Sequence, residues 1–219
     1  ALMLPARPGR EKFALSGASR HRLLELAGEH GTPPLRLKLA SFAIKNPEFA
    51  VPLLERLLAH AEDASDAYLP LMYWYALMDL PPDRLAPLFA GCRIPLVRQF
   101  VARRCAEDIE TNPAPLNQLL ASGAHPADLL AGMAQALDGW AKAPRPAGWL
   151  AFTAALTDAP MRQAAQALDV VFGDGRALED IKKIVLDGNA DLSRREGALR
   201  SLVTARAEGL KDLCRRVLT

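Results

Sequence analysis

Four histidines, His21, His30, His60 and His125, are the side chains best suited to moving a proton near neutral pH. They are scattered, and none stands near a Cys or an acidic residue in a pattern that defines a nucleophile, a base or a metal site. They read as surface or helix-cap histidines. Cys92, Cys105 and Cys214 lie 13 and 109 residues apart, with no C-x-x-C pair, no C-x-x-C-H haem attachment and no zinc-ligand spacing. Buried small apolar residues are their expected role; one bridge plus a free thiol stays open. Asp63 and Asp66 flank Ala64-Ser65 and could present paired carboxylates, but capping a helix that begins near Tyr68 explains Asp66 without catalysis. The glycines form neither a dinucleotide fingerprint nor a phosphate loop. Phe172-Gly173-Asp174-Gly175-Arg176 lies between helical patterns and reads as a hairpin turn. No catalytic, metal or cofactor-binding residue is therefore assigned, and no cofactor is expected of this chain.

Three groups remain that could meet a ligand or a partner. Tyr68, Tyr73, Trp74 and Tyr75 could stack on a base or a flat cofactor from an exposed face, although Leu69, Leu71, Met72 and Leu77 around them favour core packing. Arg98, Arg103 and Arg104 on one segment are echoed by Arg194, Arg195, Arg200, Arg206, Arg215 and Arg216. These read as a solvated ridge with local ion pairs in preference to a phosphate-binding groove. Trp140 and Trp149 flank Ala141-Lys142-Ala143-Pro144-Arg145-Pro146, a link between helices over which the tryptophans would close. The residues expected to face a partner are Tyr73, Trp74, Arg98, Arg103, Arg104 and Arg195.

What positions these groups follows from composition and punctuation. Ala and Leu total 76 of 219 residues, whereas Val, Ile and Thr total 19, a balance that nearly excludes a β fold. Lys plus Arg number 27 against 25 Asp plus Glu, so the net charge of +2 gives no general attraction to nucleic acid or anionic membrane. No apolar run reaches the roughly 20 residues of a spanning helix, so no membrane insertion is expected. The opening Ala1-Leu2-Met3-Leu4-Pro5-Ala6-Arg7 is not a signal peptide, and a chain opening on Ala reads as a processed product or a segment of something longer.

Prolines stand at helix starts, as in Asn46-Pro47, Pro81-Pro82, Asn112-Pro113, His125-Pro126 and Ala159-Pro160; Gly31, Gly91, Gly123, Gly139, Gly173 and Gly188 fall where apolar periodicity stops. Ser193-Arg194-Arg195-Glu196 has the form of a capping box. Residues 50, 53, 54, 57, 58 and 61 form one apolar stripe, whereas Tyr68 to Leu80 is apolar nearly all round and is expected to be the most buried element, covered by other helices or by a partner. Helix starts near 34, 66, 94, 126, 160 and 193 interleave with starts near 48, 82, 113, 147, 176 and 208. Two interleaved series with this period predict an all-α fold, an α-solenoid of about six hairpins over 18–219 after an irregular segment, 1–17.

Arg36 with Leu39-Ala40, Arg98 with Val101-Ala102, Arg162 with Ala165, and Arg195 with Ala198-Leu199 share a pattern. It resembles the second helix of HEAT repeats, where an Arg near the helix start faces neighbouring turns and small residues allow close stacking. The strings from Asp66 to Leu77, DAYLPLMYWYAL, and from Ile94 to Arg104, IPLVRQFVARR, are similar to the HEAT-like middle region of large planctomycete and verrucomicrobial proteins. In that family a propeller resembling sugar dehydrogenases precedes the repeats and a c-type cytochrome usually follows. The resemblance implies a non-catalytic spacer or docking module of an exported, periplasmic or envelope redox protein, with the propeller or cytochrome domain as its partner; it carries over no haem ligand, since C-x-x-C-H is missing. The alternative is an enzyme similar to HEAT-like alkylpurine DNA glycosylases, which the tryptophans and arginines permit and the near-neutral charge disfavours.

Overall fold

The computed structural model describes residues 16–28, 31–173, 175–204, 207 and 210–218. These residues are all-helical: α1 (Gly17–Ala27), α2 (Pro33–Lys45), α3 (Pro47–Leu57), α4 (Leu69–Leu77), α5 (Pro82–Phe89), α6 (Pro95–Glu107), α7 (Ala114–Ser122), α8 (Pro126–Ala136), α9 (Trp149–Ala154), α10 (Ala159–Val171), α11 (Gly175–Leu186), α12 (Leu192–Thr204) and α13 (Leu210–Leu218), with a short 3₁₀ helix, Ala61–Ser65, before α4. Proline occupies the first or second position of α2 to α8 and of α10, where its missing N–H breaks no intrahelical bond. Pro52 and Pro87 each stand sixth in their helices, α3 and α5. Among the described residues no helix is long and apolar enough to cross a membrane.

The principal helix contacts all join elements one or two places apart in the chain. One row runs α2, α4, α6, α8, α10, α12, each packing on the next; α5, α7 and α9 pack in a second row beside it. Backbone bonds cross between hairpins, Arg93 N–H to Leu58 O at 2.8 Å and Ala143 N–H to Val171 O at 2.8 Å. The second of these pins the proline-rich link onto the end of α10. Trp149 beside the link is fully buried, edge-on to Phe172 with centroids 5.1 Å apart, and its Nε1–H donates to Asp169 Oδ1 at 2.5 Å.

Helices α6 and α8 approach one another closely. A Cβ added at Gly132 would lie 2.6 Å from Ala102 Cβ and 2.8 Å from Arg103 N, so glycine is what lets the backbones meet there. Buried apolar side chains form one continuous cluster from Ala27 to Phe172 and a second, smaller one from Val170 to Leu213. The break falls at α10.

Two expectations are corrected. The helix after Asp191 starts at Leu192, and the Asp191 carboxylate accepts the Ser193 and Arg194 N–H groups at 3.0 and 3.3 Å. An ionised acceptor two residues upstream takes the cap, so Ser193 sits inside the first turn instead of forming the capping box. The cover that other helices give 68–80 is also less than the maximum expected: α4 buries one side against them and leaves the other, for which a partner was the alternative cover, in solvent. His30, Asp174, Arg206 and most of the N-terminal segment lie outside the described residues.

Candidate functional site

The site is built outward from a buried ion pair. Arg36 stands fourth in α2 and is 3 % exposed. Its Nε and Nη2 grip the two oxygens of Asp63 at 2.8 and 2.5 Å, and its Nη1 donates to the Gly31 carbonyl. Tyr73 O–H donates to Asp63 Oδ2 at 2.6 Å, which completes the carboxylate's partners in a region stripped of water. Burial, then the bond to Asp63 and its charge, push the Tyr73 phenol well above the usual tyrosine range. His60 bridges Ala27 O at 2.8 Å and Glu62 Oε1 at 2.9 Å beside this network. Asp66 caps α4 as expected, its Oδ1 accepting Tyr68 and Leu69 N–H at 2.8 and 2.9 Å. Those two backbone bonds hold its carboxyl below the usual carboxylate range. Asp63 and Asp66 therefore do different work and are not a catalytic pair.

Fixing Tyr73 inward decides the orientation of the whole helix. Tyr73, Ala76, Leu77 and Leu80 are buried, so the opposite positions turn outward: Tyr68 is 71 % exposed, Leu71 38 %, Tyr75 49 % and Met78 45 %. Their spacing of three, four and three residues places them on one face. From Ala67 to Met78 the chain carries no charge. Trp74 is half-buried at the edge of this face and meets Phe100 of α6 with ring centroids 5.2 Å apart. The same face of α6 runs from exposed Leu96 through Phe100 to Arg103, Arg104 and Glu107. Arg103 pairs with Glu107 at 2.9 Å and Arg104 with Asp108 at 2.9 Å, which makes a polar rim at the end of an apolar strip.

Of the six residues expected to face a partner, Trp74, Arg103 and Arg104 lie on this surface. Tyr73 and Arg98 do not: Tyr73 is fully buried on Asp63, and Arg98 is 9 % exposed. Arg98 donates from Nε to Asp128 Oδ2 at 2.7 Å and from Nη1 to Cys92 O at 2.8 Å, while Gln99 takes Asp128 Oδ1 at 2.9 Å. A guanidinium at that position spans the seam between α6 and α8 and is buried there, turned away from a partner. Arg195 is half-buried and donates to Val185 O of α11 at 3.2 Å. The partner carboxylates Asp63 and Asp128 escaped the sequence reading. The signal was available: they follow their arginines by 27 and 30 residues, close to the spacing expected between alternate helix starts.

Cys92 and Cys105 are buried, and burial pushes their thiols up to about 11 and about 12. Both stay protonated at neutral pH, the state of an inert core residue. Among the described residues no three His, Cys, Asp or Glu side chains converge as a metal-ligand group. Comparison with protein-family models, with curated proteins and with solved structures found no match to this chain.

Proposed function

We propose that the chain is a non-catalytic scaffold, a stack of HEAT-like helical hairpins that docks another protein domain through the uncharged outer face of α4. Support for the stacked arrangement comes from the principal contacts, which join helices one or two places apart, and from the arginine at the fourth position of α2, α6, α10 and α12. The observation that carries the docking role is the stripe Tyr68, Leu71, Tyr75 and Met78, left in water on a helix without a charge. Exposed apolar patches with a polar rim mark interaction sites, and Tyr, Trp and Met are the side chains enriched at interface centres. Another domain of a larger exported redox protein, a propeller or a c-type cytochrome, is the occupant that the sequence resemblance implies. Two of the residues counted toward DNA repair are otherwise engaged: Trp149 is buried on Asp169 and Arg98 on Asp128.

The test places a photo-crosslinking side chain on the stripe, as Tyr75→p-benzoylphenylalanine, and illuminates the protein in extract of its own cells. The expected result is a single crosslinked protein species, lost on Met78→Glu and retained on Arg84→Glu. Equal yield after Met78→Glu, or no product at all, would refute the docking face. Haem, nucleotide or metal bound stoichiometrically to the purified chain, seen by absorption and elemental analysis, would refute the scaffold role.

A further inference from the structure

We propose that the groove between α10 and α12 binds an acidic amphipathic segment of a polypeptide, whose carboxylates are taken by Arg162 and Arg194. The four arginines that stand fourth in their helices are not used alike. Arg36, Arg98 and Arg195 each donate to a main-chain carbonyl, of Gly31, Cys92 and Val185. Arg36 and Arg98 also hold a carboxylate on the following hairpin. Arg162 does neither; it is exposed, and no hydrogen bond or ion pair engages its side chain among the described residues.

The missing partner can be located. Asp128, which answers Arg98 across the seam of α6 and α8, is the third residue of α8. The third residue of α12 is Arg194. Where one seam has an arginine and an aspartate, the other has two arginines, and both line a groove of about 830 Å³. Arg194 is likewise exposed, with no side-chain partner among the described residues. Among the described residues no carboxylate lines the groove. Its floor carries Ile181, Ile184 and Ala198, and its rim Gln163, Gln166 and Ser201. Each guanidinium offers a planar fork of donors that matches a carboxylate. An incoming carboxylate therefore supplies the charge that Asp128 supplies between α6 and α8, two seams earlier.

The groove's shape selects the occupant. Both arginines and both glutamines are exposed, so a small free anion would remain in water, where screening leaves an ion pair little net strength. A polypeptide segment brings apolar side chains to the isoleucine floor together with its carboxylates. The lined stretch of α10, from Ala159 to Ala167, is about 12 Å long at 1.5 Å per residue, room for about two turns of a docked helix.

The experiment displays random 16-residue peptides on phage, selects them on the full chain and measures the enriched peptides by fluorescence anisotropy. The expected sequences carry Asp or Glu beside apolar residues. Their Kd should rise about tenfold or more on Arg162→Glu/Arg194→Glu, a loss appropriate to charged pairs at an interface. Arg194→Asp should also raise Kd about tenfold or more while melting no lower than the native chain, because it recreates the pairing of Arg98 with Asp128. Tyr75→Glu on α4 should leave the affinity unchanged, which separates this site from the docking face. Four outcomes would each overturn the proposal: no enrichment, enriched peptides without acidic residues, affinities for both arginine variants within about twofold of native, or displacement of the peptide by decanoate or by a single-stranded oligonucleotide with the same arginine dependence.

Discussion

Gly132 and Gly197 offer a test in which the same substitution should act with opposite sign. Both lie inside a helix, seventh in α8 and sixth in α12, so replacing either by Ala gains about 1 kcal/mol of helix propensity. At Gly197 the nearest atom to an added Cβ is Gln163 Nε2 at 3.5 Å, an ordinary contact with the end of a flexible side chain. The gain should appear in full, raising Tm by roughly 2–4 °C for a chain of this size. At Gly132 the added carbon meets Gln99 O, Ala102 Cβ and Arg103 N, two of which are backbone atoms that cannot rotate aside. Overpacking usually costs about 1–3 kcal/mol, and a clash with backbone belongs at the upper end. Moving α8 outward would also stretch the bonds of Arg98 and Gln99 to Asp128, which sits one turn before Gly132. The net for Gly132→Ala is a destabilisation of about 2 kcal/mol, a fall in Tm of roughly 4–8 °C. Thermal melts by circular dichroism and calorimetry measure both variants. If Gly132→Ala matches or exceeds the native stability, or the two variants shift together, the seam between α6 and α8 is not the close contact described.

The buried network and the thiols supply two more tests. Asp63→Ala removes the buried bidentate partner of Arg36 and leaves it only the exposed Glu62 carboxylate at 3.4 Å, which should cost about 3 kcal/mol, whereas Tyr73→Phe removes one hydrogen bond and should cost about 1 kcal/mol. Because the Tyr73 phenol is raised in the folded chain, the stability it contributes is complete below the unfolded value near 10 and is lost as pH climbs above it. The Tyr73→Phe variant should accordingly show a flatter decline above pH 10 in denaturant titrations, and an unchanged alkaline limb would contradict the assignment. Iodoacetamide at pH 8 should modify half-exposed Cys214 first and spare Cys92 and Cys105 until denaturant is added. Native-state alkylation of either buried thiol at the rate of unfolded chain, read by peptide mass spectrometry, would speak against their burial.

Helix positions were legible in the sequence because their signals are local. Starts expected near 34, 94, 126, 160 and 193 fall at Pro33, Pro95, Pro126, Ala159 and Leu192, since proline and the residues before it act within one turn. The Asp66 cap was legible for the same reason. The start expected near 66 moves to Leu69 because Asp66 serves as the cap and the 3₁₀ helix takes up the residues before it. What lay beyond reach was which side of α4 faces water. In a segment with apolar residues on every side, periodicity carries no phase, and the phase is set by Asp63, ten residues upstream, holding the Tyr73 hydroxyl. Arg98 was misplaced for a related cause: an arginine on a helix looks like surface until the carboxylate 30 residues away is brought beside it.

Along the row of even-numbered helices, successive seams are closed by different means. Asp63 joins Arg36 of α2 to Tyr73 of α4, an aromatic contact joins α4 to α6, and an arginine, an aspartate and a glycine join α6 to α8. Between α10 and α12 none of these devices is found among the described residues; arginines occupy both places, and the buried core divides at the same helix. A chain optimised only for stability would carry an acidic residue at position 194, as it does at 128. Retaining Arg194 leaves that seam weaker and its surface open, the pattern expected where binding and stability compete for one residue. Arg194→Asp is therefore the most informative single change: stability and peptide binding should move in opposite directions, and a variant that gains or loses both would break the link between the open seam and its ligand.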